Sequence, residues 1–300
     1  MKTSIILGTD KYLSANGFRP MIEVARIADE IGVDVVTVPE HLAMTTNNAE
    51  FVARYGENPP VDDQTLFPEP MVFLSAIAAA TKSIRVGTSI ILSPLRPALV
   101  LAKQIATLDY MSGGRTLFGL GAGWQKEEFG ATNMPWDDRL AHLFEQVGAF
   151  RALWSEAPAS FHGDFINFDE LNSLPFPAQG KDVPLFLGIR SSAKNVKRMA
   201  ELGVGWMPMP TPPEELVDPI SRLREAYRAA GRSVADLNVL AFSAVPLGPS
   251  GVPDLDRALA LIPQYAEIGV STLCFAPAGY CGDVQGHVAV IEKIERAVKG

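Results

Sequence analysis

Short runs of apolar, mostly β-branched residues recur along the whole chain and are bounded by Gly, Pro, Asp or Asn. Runs of about four to eight such residues are typical of buried β-strands. The pattern predicts eight strands: Thr3–Leu7, Val33–Val38, Ile84–Ile90, Thr116–Leu120, Pro184–Leu187, Gly205–Met207, Leu237–Phe242 and Thr272–Phe275.

Longer stretches lie between these runs, and their apolar residues recur about every 3.6 positions, as in amphipathic helices. Several begin at Pro or Asp and end beside a glycine such as Gly32 or Gly203, which are common start and stop signals of helices. The predicted helices are Pro20–Ile31, Pro70–Ala80, Pro97–Met111, Asp137–Trp154, Ala193–Leu202, Pro213–Ala230, Asp254–Ile268 and Val284–Val298.

Strands that alternate with helices throughout a chain predict a parallel sheet. Eight strands close a barrel, and 300 residues suit one such domain. We therefore expect an α/β protein: a (β/α)8 TIM barrel with inserted loop segments, forming a single domain over residues 1–300. An open, doubly wound sheet is the alternative, but its usual Gly-x-Gly-x-x-Gly turn near the start is missing. The glycines Gly119, Gly121 and Gly123 have a different spacing and lie in the middle of the chain.

Two connections are longer than a compact barrel needs, and they cover residues 42–69 and 155–183. Long loops in a compact domain are commonly lids or binding loops. The first follows a strand and is expected at the C-terminal mouth, where barrel active sites lie. The second runs from a helix into a strand, so we expect it to start on the opposite face.

Composition limits the class of partner. Hydrophobic residues make up 47% of the chain and charged residues 20%, which allows a large core. The net charge of −8 disfavours nucleic acid and anionic membrane surfaces. The apolar start is too short for a signal peptide, and no stretch reaches the about 18 apolar residues of a membrane span. We expect a cytoplasmic homodimer that acts on a small-molecule substrate.

Metal chemistry has little support in the sequence. The chain has two cysteines and four histidines, and none of them has the spacing of a metal site. We therefore expect no metal ligands, and we expect Cys274 and Cys281 to be thiols.

A glycine-rich block in the middle of the chain carries more information. Residues 112–115 read SGGR, residues 119–124 read GLGAGW, and Glu128-Phe129 follows. This block resembles the pattern of the luciferase-like oxidoreductases, and the similarity covers residues 20–210. Other matching positions are Pro39-Glu40-His41, Arg85–Thr88, Ala102–Gln104, Arg139, Glu145, Leu153-Trp154, Pro175, Pro177, Gln179 and Gly203–Pro208.

The resemblance implies a flavin-type cofactor at the C-terminal mouth and redox chemistry on a small organic substrate. Deazaflavin F420 is the first expectation, because the block at Gly121–Trp124 most resembles the F420-dependent branch, in which a hydride moves between cofactor and substrate. An FMN-dependent monooxygenase is the alternative enzyme. A member that binds a flavin or other ligand without turnover is the alternative outside catalysis. Trp124 stands where some F420-dependent sugar dehydrogenases have Glu, which argues against a sugar substrate.

The cofactor-binding residues expected from the resemblance lie at the ends of four predicted strands. Glycines at a strand end let a flat ring approach the backbone, and the Trp124 side chain can stack on such a ring. Alternatively, the glycines serve turns and packing. The family commonly has a non-prolyl cis peptide in its third strand, here within Thr88–Ile90. The expected residues are Thr88, Ser89, Ile90, Gly121, Ala122, Gly123, Trp124, Gly188, Ile189, Arg190, Ser191 and Met207.

A phosphate site is expected after the fifth strand. Ser191 and Ser192 precede a predicted helix, whose free N–H groups and dipole attract an anion, and Arg190 adds further donors. N-capping of the helix alone would also explain the serines.

His41 is the expected catalytic acid or base. It follows the second strand at the mouth. The ordinary pKa of a histidine, about 6.5, suits proton transfer at neutral pH. Adjacent residues of an extended chain point in opposite directions, so only one of Glu40 and His41 should face the pocket. The resemblance favours His41, with Glu40 as the alternative.

Overall fold

The computed structural model describes residues 1–9, 11–15, 17–46 and 63–300. Eight of its strands form one parallel sheet in the order β8-β7-β4-β3-β2-β1-β10-β9, and β5 pairs antiparallel with β6. All eight predicted strands are present. The strands are β1 (Lys2–Ile6), β2 (Val35–Val38), β3 (Arg85–Leu92), β4 (Thr116–Gly121), β5 (Ala159–His162), β6 (Asn167–Leu171), β7 (Leu185–Leu187), β8 (Gly205–Trp206), β9 (Leu240–Phe242) and β10 (Thr272–Phe275).

The two ends of the parallel sheet meet. The N–H of Trp206 in β8 donates to the carbonyl of Asn238 at 2.9 Å, and Trp206 pairs in parallel with Val239, just before β9. This contact closes the strand order into a ring. The predicted (β/α)8 barrel is confirmed, and the open sheet is excluded.

Helices connect successive strands and surround the barrel. None of the helices in the described part of the chain combines the length and the apolar character of a membrane span. The helices are α1 (Lys11–Ser14), α2 (Arg19–Ile31), α3 (Pro70–Ala80), α4 (Ala98–Ser112), α5 (Lys126–Thr132), α6 (Arg139–Ser155), α7 (Ala193–Leu202), α8 (Pro213–Ala229), α9 (Leu255–Leu259), α10 (Ile262–Glu267) and α11 (Val284–Lys299).

Helices α3 and α7 have the predicted bounds. In both helices a side chain caps the first turn and so fixes where the helix begins. The Glu69 carboxylate accepts the N–H of Val72 at 2.8 Å before α3. The Ser192 hydroxyl accepts the N–H of Asn195 at 3.3 Å before α7, which ends at the left-handed residue Gly203. Such caps satisfy backbone groups that have no partner within the helix.

The prediction of one helix over Asp254–Ile268 is wrong, since the structure has the two short helices α9 and α10 there. Pro263 lies in the first turn of α10. A proline inside a helix lacks the N–H donor, and its ring clashes with the carbonyl four residues earlier, here that of Leu259. The chain therefore ends one helix and starts another.

Residues 155–183 contain the hairpin of β5 and β6, which the sequence did not predict. The hairpin starts at the end of α6 and runs back along that helix. The Glu145 carboxylate accepts the N–H groups of Asp164 at 2.9 Å and Ile166 at 2.6 Å in the hairpin turn. The Phe165 ring lies 5.7 Å from that of His142, one turn earlier in α6. The turn is thus held near the start of α6, which follows β4 at the mouth.

Two apolar layers hold the barrel together. The larger one lies between the strands and the helices, and the smaller one fills the interior of the barrel, around Leu117, Phe186 and Leu240. Cys274 belongs to the interior layer, where burial raises the pKa of its thiol to about 11. This cysteine is therefore a packing residue.

Candidate active site

A cavity of about 670 Å³ opens at the carboxyl ends of β3, β4, β7 and β8. This is the position at which barrel enzymes bind their ligands, and the size is ordinary for a small-molecule pocket. Eight of the twelve expected cofactor-binding residues line it: Ile90, Ala122, Gly123, Trp124, Gly188, Ile189, Arg190 and Ser191.

The other four expected residues, Thr88, Ser89, Gly121 and Met207, are not among those that line the cavity. The Thr88 hydroxyl donates to the Gly119 carbonyl at 2.8 Å, and the Ser89 hydroxyl donates to that of Thr37 at 2.8 Å. Met207 is buried in the interior layer. The side chains of Thr88, Ser89 and Met207 therefore support the cavity floor from below.

The glycines of β4 accommodate neighbouring side chains. A Cβ atom on Gly121 would lie 1.8 Å from Cδ1 of Ile90, and one on Gly119 would lie 2.6 Å from the sulfur of Met207. Gly123 has φ +77°, and a Cβ there would lie 2.8 Å from the Phe129 ring. The missing side chains thus make room for packing, which is the alternative interpretation of these glycines.

The peptide bond between Ser89 and Ile90 is cis, as predicted for this segment. The pairing of β3 with β4 shifts its register between Thr88 and Ile91. The Ile90 side chain lies against both Gly121 and Gly188, and a Cβ on Gly188 would be 2.8 Å from its Cγ2. Ile90 therefore forms an apolar floor that spans three neighbouring strands.

One end of the cavity has the features of an anion site. Arg190 and Ser191 line it, directly before α7. Ser192 is the residue that caps α7, so the hydroxyl of Ser191 is not used as the cap. The Asn195 amide donates to the Arg190 carbonyl at 2.9 Å, and Arg222 donates to the Ser191 carbonyl at 3.0 Å. These bonds hold the segment in place.

The cavity is also lined by charged residues that sequence reasoning had not assigned to the site. These residues are Asp137, Arg139 and Glu215. The Arg139 guanidinium lies 3.6 Å from the centroid of the Trp136 ring and donates to the Gly123 carbonyl at 3.2 Å. Arg139 belonged to the matching positions of the resemblance, and that was the signal that could have placed it here.

His41 lies beside the cavity, next to Trp124. Its ring meets the Phe67 and Trp124 rings edge-on, with centroids 5.1 Å and 5.4 Å away, and its side chain is 11% exposed. Its Nδ1 atom is 3.0 Å from Oε2 of Glu128. His41 is not itself a lining residue of the cavity, whereas Trp124 is. Residues 47–62 of the long loop that was expected to form a lid lie outside the described residues.

Glu40 is buried beside the carboxyl end of β3 and does not line the cavity. It is 3% exposed, and its carboxylate accepts the N–H of Leu92 at 2.6 Å and a guanidinium N–H of Arg96 at 3.0 Å. Arg96 also donates to Glu69 at 2.8 Å. Burial raises the pKa of Glu40, and the hydrogen bonds and charge of Arg96 oppose that rise. Glu40 thus ties the end of β2 to the end of β3.

A family model of luciferase-like monooxygenases matches residues 1–272 of this chain. The chain belongs to the luciferase-like monooxygenase family. An uncharacterized protein of Mycobacterium tuberculosis is 31% identical over 265 residues, which cover 88% of this chain and 89% of that protein. The FMNH2-dependent dimethylsulfone monooxygenase of Pseudomonas putida is 35% identical over 159 residues, which cover 52% of this chain and 41% of that enzyme.

Solved structures of similar fold include a monooxygenase and an F420-dependent dehydrogenase. The monooxygenase RslO1 of Streptomyces bottropensis has a TM-score of 0.80 at 23% identity, over 97% of this chain and 96% of that one. An F420-dependent secondary alcohol dehydrogenase in complex with an F420-acetone adduct has a TM-score of 0.76 at 20% identity, over 100% of this chain and 99% of that one. At these identities the likeness concerns the fold.

Two residues near His41 in this luciferase-like protein were not among the expected site residues. Glu128 accepts the backbone N–H of Leu42 at 2.7 Å, and Gln125 accepts that of Thr45 at 2.8 Å. Both follow the glycine-rich block of the family pattern. Their partners lie 86 and 80 positions earlier in the sequence. The match of Glu128-Phe129 to the family pattern was the signal that could have pointed to Glu128.

The cavity of this luciferase-like protein fits a flat ring that carries an anionic tail. Ile90 provides an apolar floor, and Trp124 and Trp206 add aromatic surface. The anion end offers the guanidinium of Arg190 and the start of α7. The imidazole of His41 contacts Trp124, which lines this cavity.

Proposed function

We propose that this chain is an F420-dependent oxidoreductase that transfers a hydride between the cofactor and a small organic substrate. The observation that carries the proposal is a charge pattern at the anion end of the cavity. Residues 190–198, RSSAKNVKR, contain four cations and no acid, in a protein of net charge −8. A tail with several negative charges would be attracted along the whole segment.

The positions of these cations favour a long tail over a single phosphate. Arg190 lines the cavity, while Lys194 and Lys197 lie further along α7 and are exposed. The phosphate of FMN would be bound by Arg190, Ser191 and the helix start. F420 has a longer tail with additional carboxylates, so its anionic groups would extend towards Lys194 and Lys197.

When bound, F420 supplies the two-electron step, because its ring accepts or gives up the hydride. The protein provides the surroundings of that step. Ile90 would support the ring, and Trp124 and Trp206 would exclude water from it. A substrate that loses a hydride from carbon also loses a proton from oxygen, and His41 takes up that proton as general base.

An FMN-dependent monooxygenase is the second candidate function. The relative from Pseudomonas putida, an FMNH2-dependent dimethylsulfone monooxygenase, has 35% identity over the matched residues. The same cavity would accept the FMN ring, since the floor and the anion site suit both cofactors. The two candidate functions differ in whether the outer cations Lys194 and Lys197 contribute to cofactor binding.

We also propose that the protein forms a homodimer through the face of α3 and α4, two neighbouring helices. Val72, Tyr110 and Met111 on this face are 73%, 63% and 67% exposed. Among the described residues, Oε1 of Gln104 is buried between these helices without a hydrogen-bond partner. Helix α3 has no charged residue, so two copies of the face can meet with little repulsion.

Separate titrations of the purified protein with F420 and with FMN test the cofactor assignment. We expect tighter binding of F420. The double variant Lys194→Ala/Lys197→Ala should weaken F420 binding about 10-fold or more and leave FMN binding nearly unchanged, because each charge-assisted contact contributes roughly 1–2 kcal/mol. Arg190→Ala should weaken both cofactors.

Arg228→Ala is the matched control, since Arg228 is an exposed arginine in the last turn of α8. It should leave both affinities unchanged. Equal or tighter binding of FMN by the unmodified protein, with no effect of the lysine variant, would assign the chain to the FMN-dependent monooxygenases. Binding without reduction of the cofactor by any candidate substrate would favour a non-catalytic member.

A further inference from the structure

We infer that Glu128 is a positioning residue that fixes the tautomer of His41, so that Nε2 is the ring nitrogen that exchanges a proton. The inference rests on the proposed function for the catalytic use of His41. The orientation of the ring rests on contacts within the protein and can be measured without cofactor.

The Glu128 carboxylate is enclosed by donors from one short segment. Its side chain is only 1% exposed. Oε1 accepts the N–H of Leu42 at 2.7 Å and that of Ala43 at 3.3 Å, while Oε2 lies 3.0 Å from Nδ1 of His41. The backbone that carries His41 and its ring are thus held by the same carboxylate.

The geometry decides which ring nitrogen carries the hydrogen. With a hydrogen on Nδ1, the contact is an N–H donated to a carboxylate oxygen, which is a strong, charge-assisted bond. Without it, a lone pair of Nδ1 would face a lone pair of Oε2, and a buried oxygen would lose its donor. Nδ1 therefore donates to Glu128, and Nε2 is left to accept or release a proton.

The surroundings of the pair restrict motion of the ring. The Gln125 amide donates to the Ala43 carbonyl at 2.5 Å and accepts the N–H of Thr45 at 2.8 Å, which holds the segment after His41. Phe67 and Trp124 contact the imidazole edge-on. A catalytic group whose orientation is fixed in advance loses less entropy at the reacting centre.

A purely structural role is the competing explanation, in which Glu128 only ties down the segment after β2. Glu128→Gln separates the two roles. The glutamine oxygen can still accept from Leu42 and Ala43, while its NH2 group now faces His41 and donates to Nδ1. The hydrogen bonds to the segment after β2 are kept, but the hydrogen of the neutral imidazole moves to Nε2.

The first measurement uses ¹⁵N NMR of the histidine rings in the cofactor-free protein. The chain has four histidines, and His41→Gln identifies the signal of His41. We expect the Nδ1–H tautomer in the unmodified protein and the Nε2–H tautomer in Glu128→Gln. An Nε2–H tautomer in the unmodified protein would overturn the inference, whatever the activity shows.

The second measurement uses turnover with the bound cofactor. Glu128→Gln should lower kcat by about 10²-fold or more with little change in KM, since an amide in place of the carboxylate behind a catalytic histidine leaves the ring in the wrong tautomer. Glu127→Gln, an exposed residue of the same helix, should match the unmodified protein. If both kcat and the tautomer of His41 are unchanged in Glu128→Gln, Glu128 has only the structural role.

The two measurements separate this inference from the proposed function. If the tautomer inverts but neither Glu128→Gln nor His41→Gln changes turnover, His41 is not the acid or base, and the role assigned to Glu128 in catalysis fails with it. Thermal unfolding of each variant shows whether a loss of turnover reflects loss of fold.

Discussion

Glu40 and His41 are neighbours in the chain with different surroundings, and this contrast is the basis for proposing His41 as the acid or base. Glu40 lies in the interior against Arg96 and the end of β3. His41 lies at the mouth against Trp124, a lining residue of the cavity. Neither residue lines the cavity, and the Glu40 carboxylate is occupied by hydrogen bonds, which leaves the His41 imidazole as the proposed group.

Substitutions of these two residues should therefore affect different properties of the protein. His41→Ala should lower turnover by roughly 10²–10⁴-fold, the usual contribution of general acid–base catalysis, with cofactor affinity and thermal stability little changed. Glu40→Gln should lower the free energy of unfolding by about 3–5 kcal/mol, because it leaves Arg96 as a buried charge without its main partner. Steady-state kinetics and denaturant unfolding measure the two effects.

The opposite pattern would reverse the assignment. If Glu40→Gln abolished turnover in a protein of normal stability while His41→Ala left turnover intact, Glu40 would be the acid or base. Arg96→Lys is a useful comparison, because it keeps the charge but loses the forked donor geometry. It should destabilise the fold less than Glu40→Gln.

At the scale of elements, the sequence predicted those whose signals are local. Helices α3 and α7 were predicted to the residue, because capping side chains and a terminal glycine mark their ends. The hairpin of β5 and β6 was missed, because its turn is held by Glu145, about 20 positions earlier in the sequence. The site followed the same rule: the ends of the strands were predictable, and Glu128 matched the family pattern, but its contact with His41, 87 positions away, has no local signal.

The hairpin also gives the protein a dependence on pH. Its Phe165 ring lies over His142, which is 6% exposed. Burial lowers the pKa of His142 from 6.5, although the charge of Glu145 opposes this. In the unfolded chain the same histidine has its ordinary pKa. As the pH falls below 6.5, the unfolded state takes up a proton before the folded state does, and stability declines.

The variant His142→Gln should therefore flatten the fall in Tm between about pH 6.5 and pH 5, since it removes a group that binds the proton more tightly in the unfolded state. His162→Gln is the matched control. That histidine lies on the same hairpin, exposed and 3.1 Å from Asp169. Scanning calorimetry at several pH values measures the slope, and a His142→Gln slope equal to that of the unmodified protein would contradict the account.

At the scale of the whole molecule, charge is distributed unevenly. The net charge is −8, yet residues 190–198, which start at the anion end of the cavity with Arg190, contain four cations. The face of α3 and α4 carries almost no charge and exposes large apolar side chains. These two regions differ from the rest of the surface in opposite ways, and each has the character of a binding surface: one for an anion, the other for an apolar partner.

The proposed homodimer through the α3 and α4 face predicts that Met111→Lys yields a monomer. Met111 is 67% exposed at the end of α4, and a lysine there would have to lose its hydration when two copies meet. Sedimentation velocity measures the mass. Val252→Lys is the control, because Val252 is also exposed, at 59%, but lies in the loop after β9. That variant should remain a dimer. If the unmodified protein is a monomer, the proposed dimer does not exist. If the Met111→Lys variant stays dimeric, the contact between the two copies lies elsewhere.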